Sequence, residues 1–328
     1  MIEISKNEKT FMDNSLFGIE DLAQICGKFS IGKLKRVCEH FNNTTNINIL
    51  FETQNGKYVA KFFHTNTDRF KYIVNILQIL HQNNVPVILP FQDINGDYFI
   101  NIKGYAVQIT PYLDAYGFNN EHRQMVSSGK TLRQLHTVLH DFDEISQPVG
   151  SIYPTPEILE EGLVRLKKLE GPISTEKISL IYNLHDKITG MWEIQSQGLP
   201  YTIIHGDWNE RNQLYTEEGT VCGVLDFDFI QRKERLFDIA YVLWNFLLHS
   251  HFYLLAKPFM SGYGLLNEQE MNILQIAIAR VSLFFVCTAS LSKDYTAQIN
   301  RQIDQQVPFI NYVLSQEGKR KIDEVCGY

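Results

Sequence analysis

A chain of 328 residues with 44% hydrophobic residues is long enough for two structural units and can bury a sizeable core. Its formal charge of −7 argues against a general nucleic-acid or anionic-membrane surface and is compatible with a cationic small molecule. The five cysteines are widely scattered with no Cys-x-x-Cys pair, which excludes a disulfide frame or zinc site and leads us to expect reduced thiols in a cytoplasmic protein.

Met1 to Glu8 is polar, so no signal peptide is expected. Ile19 to Phe29 carries apolar residues at helical spacing and predicts a short helix. Between Lys33 and His64 the period changes to that of strands: Ile47, Ile49 and Phe51 alternate with polar neighbours, Gln54-Asn55-Gly56-Lys57 makes a hairpin turn, and Tyr58 to Phe63 returns. Thr67-Asp68 opens a helix with Phe70, Ile73, Val74, Leu77 and Leu80 on one face. Val85-Pro86-Val87 ends it and is expected to lead into another strand, and Phe91 to Ile109 reads as two more strands around turns at Asn95-Gly96 and Lys103-Gly104.

After Thr110 to Asp114 the pattern becomes helical, at 121–140 and then at about 156–170, 175–197, 234–249 and 266–296. The longest apolar stretch, Leu236 to Leu248, contains Asp238 and Asn245 and is too short to cross a bilayer, so it reads as a buried helix and no membrane partner is expected. Strand signals in this half flank one polar loop. The expected fold is therefore α+β, with a strand-rich unit over 1–110 and a helical unit over 111–328.

That loop, Ile204-His205-Gly206-Asp207-Trp208-Asn209-Glu210-Arg211-Asn212, sets an aspartate and an asparagine five positions apart, and the apolar strand from Val221 to Leu225 then delivers Asp226. Phosphoryl transfer needs such a set: one carboxylate for the attacking hydroxyl, and an amide with a second carboxylate for magnesium on the nucleotide phosphates. The segment resembles the catalytic loop of aminoglycoside phosphotransferases and their relatives, the choline, homoserine and methylthioribose kinases. In these His-Gly-Asp replaces the His-Arg-Asp of protein kinases. The resemblance spans roughly residues 18 to 250 and is specific around 203–240.

The resemblance implies a two-lobed protein-kinase-like fold, with a small antiparallel-sheet lobe and a larger helical lobe, and transfer of the γ-phosphoryl group of ATP to a small-molecule hydroxyl. Asp207 would be the catalytic base and His205 the histidine that orients the loop. Asn212 and Asp226 would hold Mg2+. Asp228 would either help a second metal or hold the loop by hydrogen bonds. Asp238 would fix the loop's backbone amides from beneath, and Lys61, on Tyr58-Val59-Ala60-Lys61, matches the strand lysine that contacts phosphates.

The Thr110 carbonyl and Tyr112 N–H fall where the family's hinge reads adenine. Asn43-Thr44-Thr45-Asn46 stands where a glycine-rich loop would cover phosphates, since no glycine lies between Gly32 and Gly56. The usual partner of the strand lysine is absent: no acidic residue occurs from Arg69 to Asn84, and Asp68 stands at the helix start. This departure leaves a kinase-like nucleotide-binding scaffold as the alternative. An atypical protein kinase is disfavoured by the short span from Asp226 to Asp238 and the lack of an Ala-Pro-Glu segment.

Arg211 stands where the family has a small residue, and either contacts phosphate or an acidic acceptor or is solvated. Trp208 either lines the acceptor pocket or packs beneath it. Trp244, Asn245, His249 and His251 lie on the side where relatives recruit acceptor contacts. The acceptor is expected to be an amino sugar, an amino alcohol or a homoserine-like compound; oligomeric state is not legible.

Overall fold

The computed structural model describes residues 17–41, 46–63, 67–143, 151–169, 173–249, 252–290 and 295–327. The expected turn residues Asn43, Thr44 and Thr45, together with His251 and the polar N-terminus, lie outside them. The chain divides into two compact units, Met1–Ala115 and Tyr116–Tyr328.

In the first unit, helix α1 (Ile19–Lys28) is followed by strands β1 (Leu34–Phe41), β2 (Ile47–Thr53) and β3 (Lys57–Phe63), helix α2 (Thr67–Gln82), and strands β4 (Ile100–Ile102) and β5 (Tyr105–Pro111). The strands form one antiparallel sheet in the order β1-β2-β3-β5-β4. The alternation read from the sequence decides its faces: Ile49, Phe51, Ala60, Phe62, Val107 and Ile109 all point into a core closed by Phe17, Leu22 and Ile25.

The strand expected after Val87 does not form. Pro86 and Pro90 remove two ladder donors. Asp93 bends the chain instead, its Oδ1 accepting from the Asn95 and Asp97 N–H groups at 2.8 and 2.9 Å. What pairing survives in that stretch is a bridge at Val87 and the bond from the Phe91 N–H to the Ile109 carbonyl at 2.8 Å.

The second unit contains α3 (His122–Val138), α4 (Pro156–Lys167), α5 (Thr175–Gln195), β6 (Tyr201–Ile204), β7 (Gln213–Tyr215), β8 (Val221–Val224), β9 (Gln231–Glu234), α6 (Leu236–Leu248), α7 (Lys257–Tyr263), α8 (Glu268–Ala289), α9 (Tyr295–Val313) and α10 (Gln316–Cys326). β6 pairs with β9 and β7 with β8, so two short ribbons carry the polar loop on an otherwise helical body. Strand β9 was not expected; the helix read over 234–249 begins only at Leu236.

Helix α8 is the apolar axis of this unit, packed by α4, α5, α6 and α9. By length and composition it is long enough to cross a membrane, but 78% of the window that qualifies is buried in the protein, as in a core helix. It, not α6, is the longest apolar segment. The single helix read over 266–296 stops at Ala289, where the Ser290 hydroxyl takes the Cys287 carbonyl at 2.7 Å and the Gly162 carbonyl at 3.2 Å. Helices α3 and α7 cross so closely that a Cβ on Gly129 would lie 2.1 Å from the Phe259 carbonyl oxygen, and one on Gly262 2.0 Å from that of Val126.

Candidate active site

The polar loop leaves β6 at Ile204 and is pinned by one buried carboxylate. Asp238, fully buried in the first turn of α6, accepts the His205 N–H at 2.8 Å and the Gly206 N–H at 2.9 Å. His136 on α3 adds its Nε2 to the same carboxylate at 3.0 Å, and its Nδ1 meets the Tyr263 hydroxyl of α7 at 3.0 Å. A charge with three donors is well compensated, so this node ties α3, α6 and α7 to the loop.

Gly206 takes φ +81°, and a Cβ there would lie 2.5 Å from the Phe229 carbonyl oxygen. Only glycine meets both demands. Gly206→Ala is therefore expected to cost about 1–2 kcal/mol in backbone strain and to displace Asp207. The readouts are a lower melting temperature and a fall in turnover of roughly a hundredfold, the effect of about 1 Å of misplacement; a variant with wild-type turnover would refute the assignment of a fixed loop.

His205 connects two segments. Its Nδ1 accepts the Asp207 N–H at 3.3 Å, which leaves Nε2 as the donor to the Leu225 carbonyl at 3.0 Å. The ring therefore spans the residue before Asp226 and the backbone of Asp207. Leu225 also donates its N–H to the Asn212 carbonyl at 2.9 Å. Asp226 itself sits in the left-handed region at φ 60°, ψ 66°, a conformation found for non-glycine residues mainly in turns and functional sites. The structure therefore places Asp207, Asn212 and Asp226 on segments joined by direct hydrogen bonds.

The Asp207 carboxylate receives the Asn209 amide on Oδ1 at 2.8 Å and the Asn212 amide on Oδ2 at 2.9 Å. Burial pushes its pKa above the ordinary aspartate value, while the field of His205 and the donors Asn209, Tyr241 and Asn212 act in the opposite direction. Because Asn212 donates through Nδ2, its Oδ1 is the end that remains as an oxygen donor. Asn209 also caps the turn Glu210–Asn212 by accepting the Arg211 N–H at 2.9 Å.

Of two open readings, the structure decides the one on Trp208. Trp208 is buried beneath the loop, its Nε1 donating to the Ser128 hydroxyl at 3.1 Å and its ring edge-on to His205 at 5.3 Å. Arg211 is exposed. Trp244 is buried as well: it donates to Gln306 at 3.0 Å and stacks on Phe285 at 4.4 Å. Asn245 holds the Glu210 carboxylate at 2.9 Å, and His249 is exposed just after α6.

In the first unit, Lys61 is half-buried on β3 opposite Asn48 and Gln108. Asn46 is half-buried just before β2, its carbonyl accepting from the Asn48 amide at 3.5 Å. Thr110 pairs with Val59. The expected hinge needs one correction: the Tyr112 N–H is already engaged with the Lys57 carbonyl at 3.0 Å. Pro111 keeps its register opposite Tyr58, so the ladder runs on past it and takes the donor assigned to adenine.

Tyr241, His136, Ser128 and Asn209 were not singled out from the sequence as parts of this site. Two signals were present: a polar His136 on the apolar stripe Leu132, Leu135, Leu139, and Tyr241 one turn beyond Asp238 on the same helix face.

The phosphotransferase enzyme family model matches residues 39–264. The chain belongs to this family. A homoserine kinase of Phenylobacterium zucineum (strain HLK1) is 24% identical over 286 residues, 82% of this chain and 84% of the relative. Among solved structures, a microcompartment-associated aminopropanol kinase superimposes with TM-score 0.73 at 13% identity, over 93% of this chain and 100% of its own. Amicoumacin kinase, solved in complex with AMP-PNP and Ca2+, gives TM-score 0.70 at 12% identity, over 93% and 96%. This phosphotransferase is accordingly a small-molecule kinase with the two-lobed α+β, protein-kinase-like fold.

Proposed function

We propose that this phosphotransferase moves the γ-phosphoryl group of ATP to the hydroxyl of a small amine-bearing alcohol. One observation carries the reading: Asp207 is held by two loop amides on a loop whose backbone is pinned by Asp238. A carboxylate fixed in this way accepts the acceptor's O–H and aims its oxygen for in-line attack. Asp226 and the Asn212 Oδ1 are the hard oxygen donors that suit Mg2+, with Asp228 as a further carboxylate for the metal or the loop. Among the described residues no cluster of three or more His, Cys, Asp or Glu forms a metal cage, which fits a metal that relies on phosphate oxygens and water for its remaining ligands. When bound, the metal would neutralise charge on the transferring group.

From the first unit, Lys61, Asn46 and the Thr110 carbonyl are assigned to the nucleotide. The acceptor class draws on the relatives: homoserine and aminopropanol, named for two of them, both join an amine to a hydroxyl. The chain's acidity agrees with a cationic acceptor. Against the scaffold alternative stands the complete set of Asp207, Asn212 and Asp226.

ADP release with MgATP over a panel of homoserine, 1-amino-2-propanol, ethanolamine, choline, amino sugars and aminoglycosides tests the proposal. Saturable turnover with an amino alcohol is the expected result. Magnesium-dependent ATP binding by calorimetry, with no ADP release on any acceptor, would return the scaffold reading.

A further inference from the structure

We infer that Glu210 takes the ammonium group of the acceptor and so selects amine-bearing alcohols over those without an amine. The inference rests on the reading of Asp207 as the group that orients the acceptor hydroxyl.

Glu210 opens the short turn Glu210–Asn212 just after Asp207, and both ends of that turn are tied to the Asp207 carboxylate. Asn209 gives its amide to Oδ1 at 2.8 Å while its own Oδ1 accepts the Arg211 N–H at 2.9 Å. Asn212 gives its amide to Oδ2 at 2.9 Å. The Asn212 N–H also bonds back to the Asn209 carbonyl at 3.2 Å, so the segment is folded and not extended. Three residues span at most about 11 Å between Cα atoms even when extended. A small amino alcohol with a hydrogen bond of about 2.8 Å at each end bridges a gap of that order.

Helix α6 fixes the Glu210 side chain. Asp238 holds the His205 and Gly206 amides, and Asn245, two turns further along the same helix face, donates to the Glu210 carboxylate at 2.9 Å. One rigid element thus sets both the backbone before Asp207 and the carboxylate of Glu210. Tyr241 stands between Asp238 and Asn245 on this face. Burial holds its pKa far above the ordinary tyrosine value, and the charges of Asp207 and Glu210 both add to that, as two carboxylates near one phenol must.

The charge of Glu210 is oriented but not cancelled. It is half-buried, and among the described residues the Asn245 amide is its hydrogen-bond partner and no cation pairs with it. The adjacent Arg211 is exposed. A neutral amide aims one oxygen and leaves the other able to accept. An acceptor that displaces water from this carboxylate without bringing a cation leaves a desolvated, unpaired charge. An ammonium group brings the counter-charge and a short charge-assisted hydrogen bond. Selection therefore comes from the penalty on the amine-free alcohol as much as from attraction to the amine.

The test uses Glu210→Gln, which keeps the length and an oxygen for the Asn245 amide but removes the charge, and Asn245→Ala, which keeps the charge but frees it. ADP release with MgATP is measured on two pairs of acceptors that differ in the amine: 1-amino-2-propanol against 1,2-propanediol, and L-homoserine against 4-hydroxybutyrate. The wild type should prefer the amine in at least one pair by about tenfold or more in kcat/KM. In Glu210→Gln that preference should collapse toward parity. The loss falls on KM for the amine, by about tenfold to a hundredfold, the worth of one hydrogen bond to a charged group, while KM for ATP stays within twofold. Asn245→Ala should raise the same KM by a smaller factor. An amine KM within twofold of wild type in either variant, or an equal loss on the amine-free acceptor, overturns the inference.

Calorimetry of the amine with magnesium and AMP-PNP reads the same step without turnover: affinity should fall in Glu210→Gln by the factor seen in KM, and an unchanged affinity overturns the inference. Asp207→Asn, run beside them, keeps the two ideas apart. If it loses kcat while Glu210→Gln retains the preference for the amine, the role of Glu210 fails and that of Asp207 stands. A wild type that shows no preference for the amine in either pair overturns the choice of an amine-bearing acceptor and this inference with it.

Discussion

Asp207→Asn is expected to leave a folded, nucleotide-binding protein whose kcat falls by about 10² to 10⁴, the range for loss of a positioned general base. The substitution preserves shape and a single acceptor oxygen. Two amides, Asn209 on Oδ1 and Asn212 on Oδ2, address the native carboxylate, so one of them faces an NH2 group in the variant and loses its partner. That local cost is small beside the loss of the group to which we assign the substrate proton. The readouts are kcat for ADP release on the acceptor found by the panel, calorimetric ATP affinity, and the melting temperature. A variant with wild-type kcat would sink the mechanism. A variant that has also lost ATP binding would show that Asp207 holds the nucleotide side of the site.

The second large effect is on stability. Asp238→Ala removes a fully buried carboxylate and orphans the His205 N–H, the Gly206 N–H and the His136 Nε2. Breaking a buried, hydrogen-bonded charge node costs about 3–5 kcal/mol. In a unit of this size that is a drop in melting temperature on the order of 10 °C. Turnover should fall as well, since the amides that set the loop's path have no other acceptor in the node. Asp238→Asn should be milder, because an amide retains one acceptor oxygen, but it must turn its NH2 toward a donor. Thermal melts of both variants beside the wild type decide this; an Asp238→Ala melting point within about 2 °C of wild type, under 1 kcal/mol for such a unit, would refute the account of the node.

The parts of the site that were legible in the sequence are those encoded within a few residues. The His205–Asp207 contact spans two positions, the Asn212–Asp207 contact five, and Gly206 marks a left-handed turn where no side chain fits. Helix α6 was legible because its apolar run is broken only by Asp238 and Asn245, and the hairpin β2–β3 because Asn55-Gly56 separates alternating strands. The irregular stretch after Val87 was misread because its apolar residues mimic strand alternation, whereas Pro86, Pro90 and the Asp93 turn withdraw the backbone from pairing. The break between α8 and α9 was invisible for a related reason: a serine at a helix end differs from a serine inside a helix only by which carbonyls lie within reach of its hydroxyl.

By itself, then, the sequence determined the family and its reaction class, the loop to which we assign the chemistry, and the order of a strand-rich unit before a helical one. These depend on local spacing and period, which short-range sterics and hydrogen bonding translate directly into backbone geometry. The tertiary structure alone decided how the loop is held: His136 reaches Asp238 from 102 positions away, Ser128 reaches Trp208 from 80, and Tyr263 reaches His136 from 127. Such partners cannot be read from spacing, because closing a loop of that length costs entropy that only the packing of α3, α6 and α7 as a body offsets. The same packing buried Trp208 and Trp244 as supports.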